Sequence, residues 1–331
     1  MKLKEMYRNT FAALGLLTSV AVVSICPPLH AAEQYDDISG DLMVFHAGSL
    51  AVPFKEVVKA FNKEYPRVRV LSEASGSRAA ARKISDLNRD ADVFGSADYT
   101  VIDTLLIPAH ARWTIRFAAN EMVLAYTGHS RRAGEIDGTN WHHLLLDENV
   151  AYGRSDPNSD PCGYRTVLTS KLAEIHYAEP GLTQRLLDKD RRHIRAKETD
   201  LLALLEVGEI DYVFIYRSVA SQHGLKWVAL PDEINLKSPE MNAVYGKVSV
   251  DISGKTPGSV VNKQGAPMVY GVTIPNNARN PKAALAFVTF LLERDRGMSI
   301  MERNGQPSLV PAFSDTYDAI PDPLKRFAKK S

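Results

Sequence analysis

The chain has 331 residues, 45% of them hydrophobic and 24% charged, enough for one large domain or two of ordinary size. Lys and Arg number 40 against 39 Asp and Glu, so no basic field points to a nucleic-acid partner or to anionic lipid. The two cysteines are Cys26 and Cys162; once a leader carrying Cys26 is removed, no internal disulfide is possible.

Lys2, Lys4 and Arg8 precede the mostly apolar run Phe11 to Ile25, and His30-Ala31-Ala32 supplies small residues for cleavage. That order is the pattern of a secretory signal peptide, here residues 1–32. The apolar run is short for a membrane anchor. Export is expected, to the periplasm or the outer face of the cytoplasmic membrane. Cys26 stands where a lipidated cysteine would, but Ile25 before it is bulkier than lipoprotein processing usually accepts. Lipidation is therefore the secondary expectation.

From about residue 40 the chain repeats one theme: apolar strand, small polar turn, amphipathic helix. LMVF leads through HAGSL to a helix with Phe54, Val57, Val58 and Phe61 on one face. VRVLSEA runs into Ser75-Gly76-Ser77 and a helix with Ala80, Ile84 and Leu87 in register. VAYG leads through RSDPNSDPCG to YRTVLTSKLAEI, HIRA through KET to DLLALLEVG, and DYVFIY into RSVASQHG. Strands alternating with helices predict α/β sheets with parallel strands, whose strand-to-helix turns gather on a ligand-binding edge. FAANEMVLAYT (117–127) and APMVYGVTIP (266–275) read as strands crossing between two lobes, and KTPGSVVNKQG (255–265) as a loop before the return. Residues 40–118 with 268–331 are then one lobe and 119–267 the other. PKAALAFVTFLLERDRG predicts a helix with Ala284, Phe287, Val288 and Leu291 on its apolar face.

The turns carry the chemistry. A helix start presents unpaired N–H groups and favours an anion. Ser49 and Ser77 each pair a hydroxyl with a neighbouring Gly, though Ser at such a place is ordinarily a helix cap. Ser75 is a weaker candidate. Asp160 before Pro161 suits a capping carboxylate, and Glu198-Thr199-Asp200 suits a helix start. If the cleft holds an oxyanion, both carboxylates are a puzzle, because like charges repel in a desolvated site. Either they are protonated and donate, or they bond to an electron-poor metal at the centre of the anion. The residues alone leave both open. Tyr216 ends a buried-looking strand as an O–H donor, and Cys162 reads as a small residue turning its backbone N–H to the cleft. Arg165 and Arg217 could pair with an anion, though Arg beside a turn is more often solvated or paired with a carboxylate. His142-His143 reads as surface. HExxH, GxSxG, P-loop and CxxC signatures are missing, so an enzyme is not expected.

HAGSL, SGSRAAARKI, ADVFGSADY, FAANEMVLAYT, DPCGYR, KETDLLALLEVGEIDYVFIYRSVA and LPDEINL together resemble the tungstate- and molybdate-binding proteins that feed ABC importers. The resemblance runs from about residue 42 to 310 and is nearest to the archaeal-type branch, with a shorter segment between DPCGYR and KETD. It implies the two-lobed class II periplasmic-binding-protein fold, each lobe a mixed, mainly parallel sheet flanked by helices, with the ligand cleft between lobes. It implies that Ser49, Ser77 and Tyr216 hydrogen-bond the oxyanion beside Cys162, and that Asp160 and Glu198 approach the tungsten or molybdenum. The ligand it implies is tungstate or molybdate, no cofactor is expected, and the implied partners are the permease subunits of an importer. A monomer is expected, touching the membrane only through the transporter or a lipid. Two alternatives stand beside this. The same fold can take sulfate, phosphate or ferric iron, the last favoured by Tyr164, Tyr216 and Tyr245; or Ser49 or Ser77 is the nucleophile of an exported hydrolase.

Overall fold

The computed structural model describes residues 38–189 and 191–331. The expected signal segment 1–32, with Cys26, lies outside the described residues. Among the described residues no helix is long and apolar enough to cross a membrane.

β1 (Gly40–Ala47) is buried throughout its second half and passes through a tight turn, Gly48–Leu50, into α1 (Ala51–Glu64). Phe54, Val57 and Phe61 fall on the buried face of α1, as their spacing predicts. β2 (Val68–Ser75) leads to α2 (Ser77–Ser85), then come β3 (Val93–Ser96) and β4 (Ile115–Ala119). Ala80 and Ile84 are buried on α2 but Leu87 is 68% exposed. The helix ends first: Leu87 N–H returns to the Arg82 carbonyl, Arg89 N–H to that of Lys83, and Asn88 takes a left-handed φ of 50°.

The expected long strand 117–127 is two strands. β4 stops at Ala119 and β5 (Met122–Tyr126) starts in a different sheet. The break is at Asn120, whose side-chain Oδ1 accepts the Glu121 N–H at 3.0 Å, a local bond that replaces a ladder bond. The second sheet adds β6 (Tyr152–Ser155), β7 (Ile194–Arg195), β8 (Tyr212–Tyr216) and β9 (Lys226–Ala229). All five residues of β8 are buried, as a continuous apolar run in a sheet covered on both faces requires. The segment read as a loop, 255–265, is half strand: β10 (Ser249–Ser253) and β11 (Val260–Gln264) pair as an antiparallel hairpin. Val260 to Gln264 pair with Ser249 to Ser253 in register, which confines the turn to 254–259. β12 (Val269–Thr273) then returns to the first sheet.

The sheet orders are β2-β1-β3-β12-β4 and β7-β6-β8-β5-β9. β1 runs parallel to β2 and β3, and β6 parallel to β7 and β8. The antiparallel pairs come from the crossing strands, β12 with β3 and β4, and β5 with β8 and β9. Each sheet is therefore mixed and flanked by helices, giving a two-lobed α/β molecule. The hairpin β10–β11 reaches across to α2: Arg78 donates to the Ser253 carbonyl and Arg82 to that of Gly254, at 2.6 Å for Arg82.

In the helix Pro281–Leu292, Ala284, Phe287, Val288 and Leu291 are all buried. Phe61 meets Phe287 and Phe290 edge-on at 5.2 and 5.7 Å between ring centres. Phe61→Ala is expected to cost about 3–5 kcal/mol in urea denaturation, far from the strand-to-helix turns. A cost under about 1 kcal/mol would show that this aromatic cluster does not hold the lobe together.

Candidate functional site

The strand-to-helix turns of the two sheets face each other at two glycines. A Cβ on Gly48 would lie 3.0 Å from both carboxylate oxygens of Glu198. One on Gly76 would lie 2.4 Å from the Ser159 carbonyl, 2.8 Å from that of Ala196 and 3.0 Å from Asp160 Cβ. The glycines of HAGSL and SGS are thus needed for close approach between lobes, not for unusual backbone angles. Gly48-Ser49 lies against Glu198, and Gly76-Ser77 against Asp160.

Neither serine caps a helix. Leu50 and Gly76 occupy the cap positions of α1 and α2, with no side-chain cap bond. Both hydroxyls are buried, at 1% and 0% exposure, and both accept from distant donors. Ser49 Oγ accepts from the Tyr270 hydroxyl at 3.0 Å, and Ser77 Oγ from the Ala97 N–H at 3.0 Å. The Ser49 carbonyl accepts from Gln306 at 3.0 Å. Tyr216, at the end of β8, is fully buried, and its oxygen accepts from Arg165 Nη1 at 2.9 Å. Burial pushes the Tyr216 phenol well above its ordinary value, so it carries its proton. Each of the three oxygens is occupied by a donor, which leaves each hydroxyl proton to be donated elsewhere.

Asp160 stands at the cap position of the helix Pro161–His176, yet its side chain makes no cap bond. Its Oδ2 instead accepts the Glu198 N–H at 3.0 Å, across 38 residues. Burial pushes the Asp160 carboxyl up. Glu198 is 1% exposed, and neither of its carboxylate oxygens has a hydrogen-bond partner among the described residues. Burial, then the Asp160 charge, raises it well above its ordinary value. Two buried carboxyls in contact, one of them unsatisfied, cost stability unless an electron-poor partner enters. Cys162 is fully buried; its thiol donates to the Phe214 carbonyl at 3.5 Å, and burial keeps it protonated. Ser75 is partly buried and accepts from Lys83 at 3.2 Å, away from this pair.

Several residues around the site were not singled out from sequence. Asp98, 4% exposed, takes Lys263 at 2.7 Å, the Tyr164 hydroxyl at 2.6 Å and Arg165 at 3.7 Å. Burial opposes its charge, but Lys263 and Arg165 outweigh it and hold the carboxyl well below the usual range. Arg165 also donates to the Ala97 carbonyl at 2.8 Å, so one guanidinium joins the two lobes. Arg217 is half-exposed and pairs with Glu121. The signal for Asn120 was present, a polar residue inside an apolar strand pattern. Tyr270 carried none, because an aromatic in APMVYGVTIP reads as core. His142 departs from the surface expectation: it is buried and stacks on Tyr177 with ring centres 3.9 Å apart, while His143 is exposed. Their Nε2 atoms lie 3.5 and 3.6 Å from Glu179, whose other oxygen pairs with Arg185.

The three tyrosines that favoured iron do not converge. Tyr164 donates to Asp98, and Tyr245 donates to the Asp232 carbonyl at 2.6 Å. Burial raises the phenols of all three, opposing the phenolate that ferric iron needs. Among the described residues, the hydrogen bonds of the Ser49 and Ser77 hydroxyls involve neither His nor Lys.

A family described as bacterial extracellular solute-binding protein matches residues 42–305. A solute-binding protein of Petrotoga mobilis is 47% identical over 99% of this chain and 98% of its own length. The molybdate/tungstate-binding protein WtpA of Pyrococcus abyssi is 40% identical over 86% of this chain and 88% of its own length. Among solved structures, the periplasmic molybdate-binding protein of Azotobacter vinelandii superposes with a TM-score of 0.55 and 16% identity. It covers 80% of this chain and 98% of its own, and shares the fold.

Two outcomes follow from this geometry. Gly76→Ala drives a methyl into two carbonyls, so the lobes should separate: small-angle scattering should give a larger radius of gyration than the parent, with unchanged circular dichroism. An unchanged radius would mean that the contact gives way locally. Between its ordinary value of 4.5 and its raised folded value, Glu198 holds a proton that the unfolded chain has released. Stability of the ligand-free protein therefore falls as pH rises through that window. Glu198→Gln removes this dependence, so its melting temperature should gain on the parent's as pH rises above the ordinary 4.5. Parallel curves would show that Glu198 ionises freely.

Proposed function

The chain belongs to the bacterial extracellular solute-binding proteins, and from that premise we propose that it captures tungstate or molybdate outside the cytoplasmic membrane and hands it to the permease of an ABC importer. One observation carries this reading: the buried Asp160–Glu198 pair, with both Glu198 oxygens lacking a partner, set beside three hydroxyls that have only protons to offer. Hydroxyl donors suit the oxo groups of an anion. Unpartnered carboxylates suit a hard, high-valent metal centre, which accepts further oxygen ligands. A sulfate sulfur takes no such ligands, so the pair would form no bond to its centre. The WtpA relative bears the matching name at 40% identity.

In this reading Ser49 and Ser77 bind from the first lobe, and Tyr216 and the start of the Cys162 helix from the second. Asp160 and Glu198 extend the coordination of the metal. The anion thereby joins turns of both lobes and holds them closed, while the Lys263–Asp98 pair and the arginines of α2 add contacts across the same gap. Residues 1–32 direct export, and lipid at Cys26 remains the secondary route to the membrane face. The protein acts as a carrier, not as a catalyst.

Calorimetric titration with tungstate, molybdate, sulfate and phosphate tests the proposal. Tight binding of the first two and none of the others is expected; sulfate binding as well as tungstate would overturn it. Glu198→Gln and Asp160→Asn should each weaken tungstate by about 10- to 100-fold, the scale of a charge-assisted contact. X-ray absorption at the tungsten edge should show more than four oxygen neighbours in the parent and fewer in each variant. Unchanged spectra would leave the carboxylates without a role at the metal.

A further inference from the structure

Asn120 and Tyr270 belong to neither set of residues expected to touch the ligand, yet they control one that does. We propose that Asn120 and Tyr270 form a one-way hydrogen-bond relay that fixes the Ser49 hydroxyl as a donor into the cleft, which makes Tyr270 a positioning residue for the bound oxyanion. The inference rests on the oxyanion reading of the site.

Its direction is set at the first crossing between lobes. Asn120 Oδ1 accepts the Glu121 N–H at 3.0 Å and the Ser218 N–H at 3.4 Å. With the carbonyl end so engaged, the amide Nδ2 must face the other way. There it donates to the Tyr270 oxygen at 2.9 Å and to Ser218 Oγ at 2.7 Å. The Tyr270 oxygen is thus an acceptor, and its proton passes to Ser49 Oγ at 3.0 Å. Burial pushes the Tyr270 phenol up to about 12, so it keeps the proton that the relay needs. Ser49, now an acceptor, has its own proton free for the cleft. A hydroxyl that accepts one bond also donates the next more strongly, by about 10–30% per bond.

The other two hydroxyls are oriented by direct means, Ser77 by the Ala97 N–H and Tyr216 by Arg165. Ser49 alone depends on a chain of side chains. That chain is built from residues at both crossings, since Asn120 joins β4 to β5 and Tyr270 lies on β12. Ser218 is contributed by the helix that follows β8. The ligand contact in the first lobe is therefore oriented by groups whose placement depends on the second.

Tyr270→Phe removes one oxygen and keeps the ring that packs edge-on against Phe117 and Tyr216. The test is a cycle of tungstate titrations on the parent, Tyr270→Phe, Ser49→Ala and the double variant. Tyr270→Phe should weaken binding about 3- to 10-fold, the scale of one neutral hydrogen bond. The double variant should bind no more weakly than Ser49→Ala, because the relay acts only through Ser49. Losses that multiply would make Tyr270 a merely structural residue and overturn the relay, as would parent-like binding by Tyr270→Phe. If the parent binds molybdate, sulfate or phosphate in place of tungstate, the same cycle with that anion separates a wrong ligand from a wrong relay. Binding of none of the four overturns both.

Discussion

Two carboxyls, Asp160 and Glu198, meet in the interior with one hydrogen bond between their residues and, among the described residues, no hydrogen-bond partner for either Glu198 oxygen. Such a pair is unfavourable in a closed protein, and much of the surrounding structure is explained by it. The pair is assembled from two strand-to-helix turns of one sheet and sealed by two turns of the other, at glycines whose missing side chains allow the contact. In the proposed reading such a pair would tie closure to occupancy, because the free energy it costs would be recovered only on binding a suitable centre. The hydroxyls add shape and proton direction to this.

The contacts that hold the lobes together without ligand are of another kind. Asp98 gathers Lys263, Tyr164 and Arg165 into a buried group whose charges compensate one another. Its carboxyl is held low while those of Asp160 and Glu198 are pushed high. The two acidic clusters thus divide the work. One is complete within the chain and contributes to closure directly; the other awaits a partner. This contrast is what makes the second the candidate site, because a structural ion pair satisfies itself.

Most of the fold was legible because its signals are local. Apolar runs such as YVFIY and the periodic face of PKAALAFVTFLL give strands and helices by pattern alone. The errors came where a side chain overrode the pattern: Asn120 splitting a strand, a left-handed Asn88 ending α2 before Leu87, and a hairpin inside a segment rich in Gly and small polar residues. At the candidate site, Ser49, Ser77, Asp160 and Glu198 were readable as turn residues, but the ordinary reading of Ser49, Ser77 and Asp160 as caps was misleading. Ser49, Ser77 and Asp160 spend their polar atoms across tens of residues or more, and sequence neighbours carry no record of such partners. Tyr270 shows the limit, since nothing near it in the chain distinguishes it from a core aromatic.

The hairpin β10–β11 is held to α2 through its backbone carbonyls at Ser253 and Gly254, received from Arg78 and Arg82. A carbonyl is the same whatever residue bears it, so the grip does not depend on the sequence of the turn that follows. Lys255 to Gly258 are exposed and lie beyond the two carbonyls that the arginines hold. A fluorophore or short peptide grafted there would ride on the second lobe beside the edge of the first. If the lobes move on binding as proposed, it would report that movement as a change in proximity, away from the residues of the candidate site.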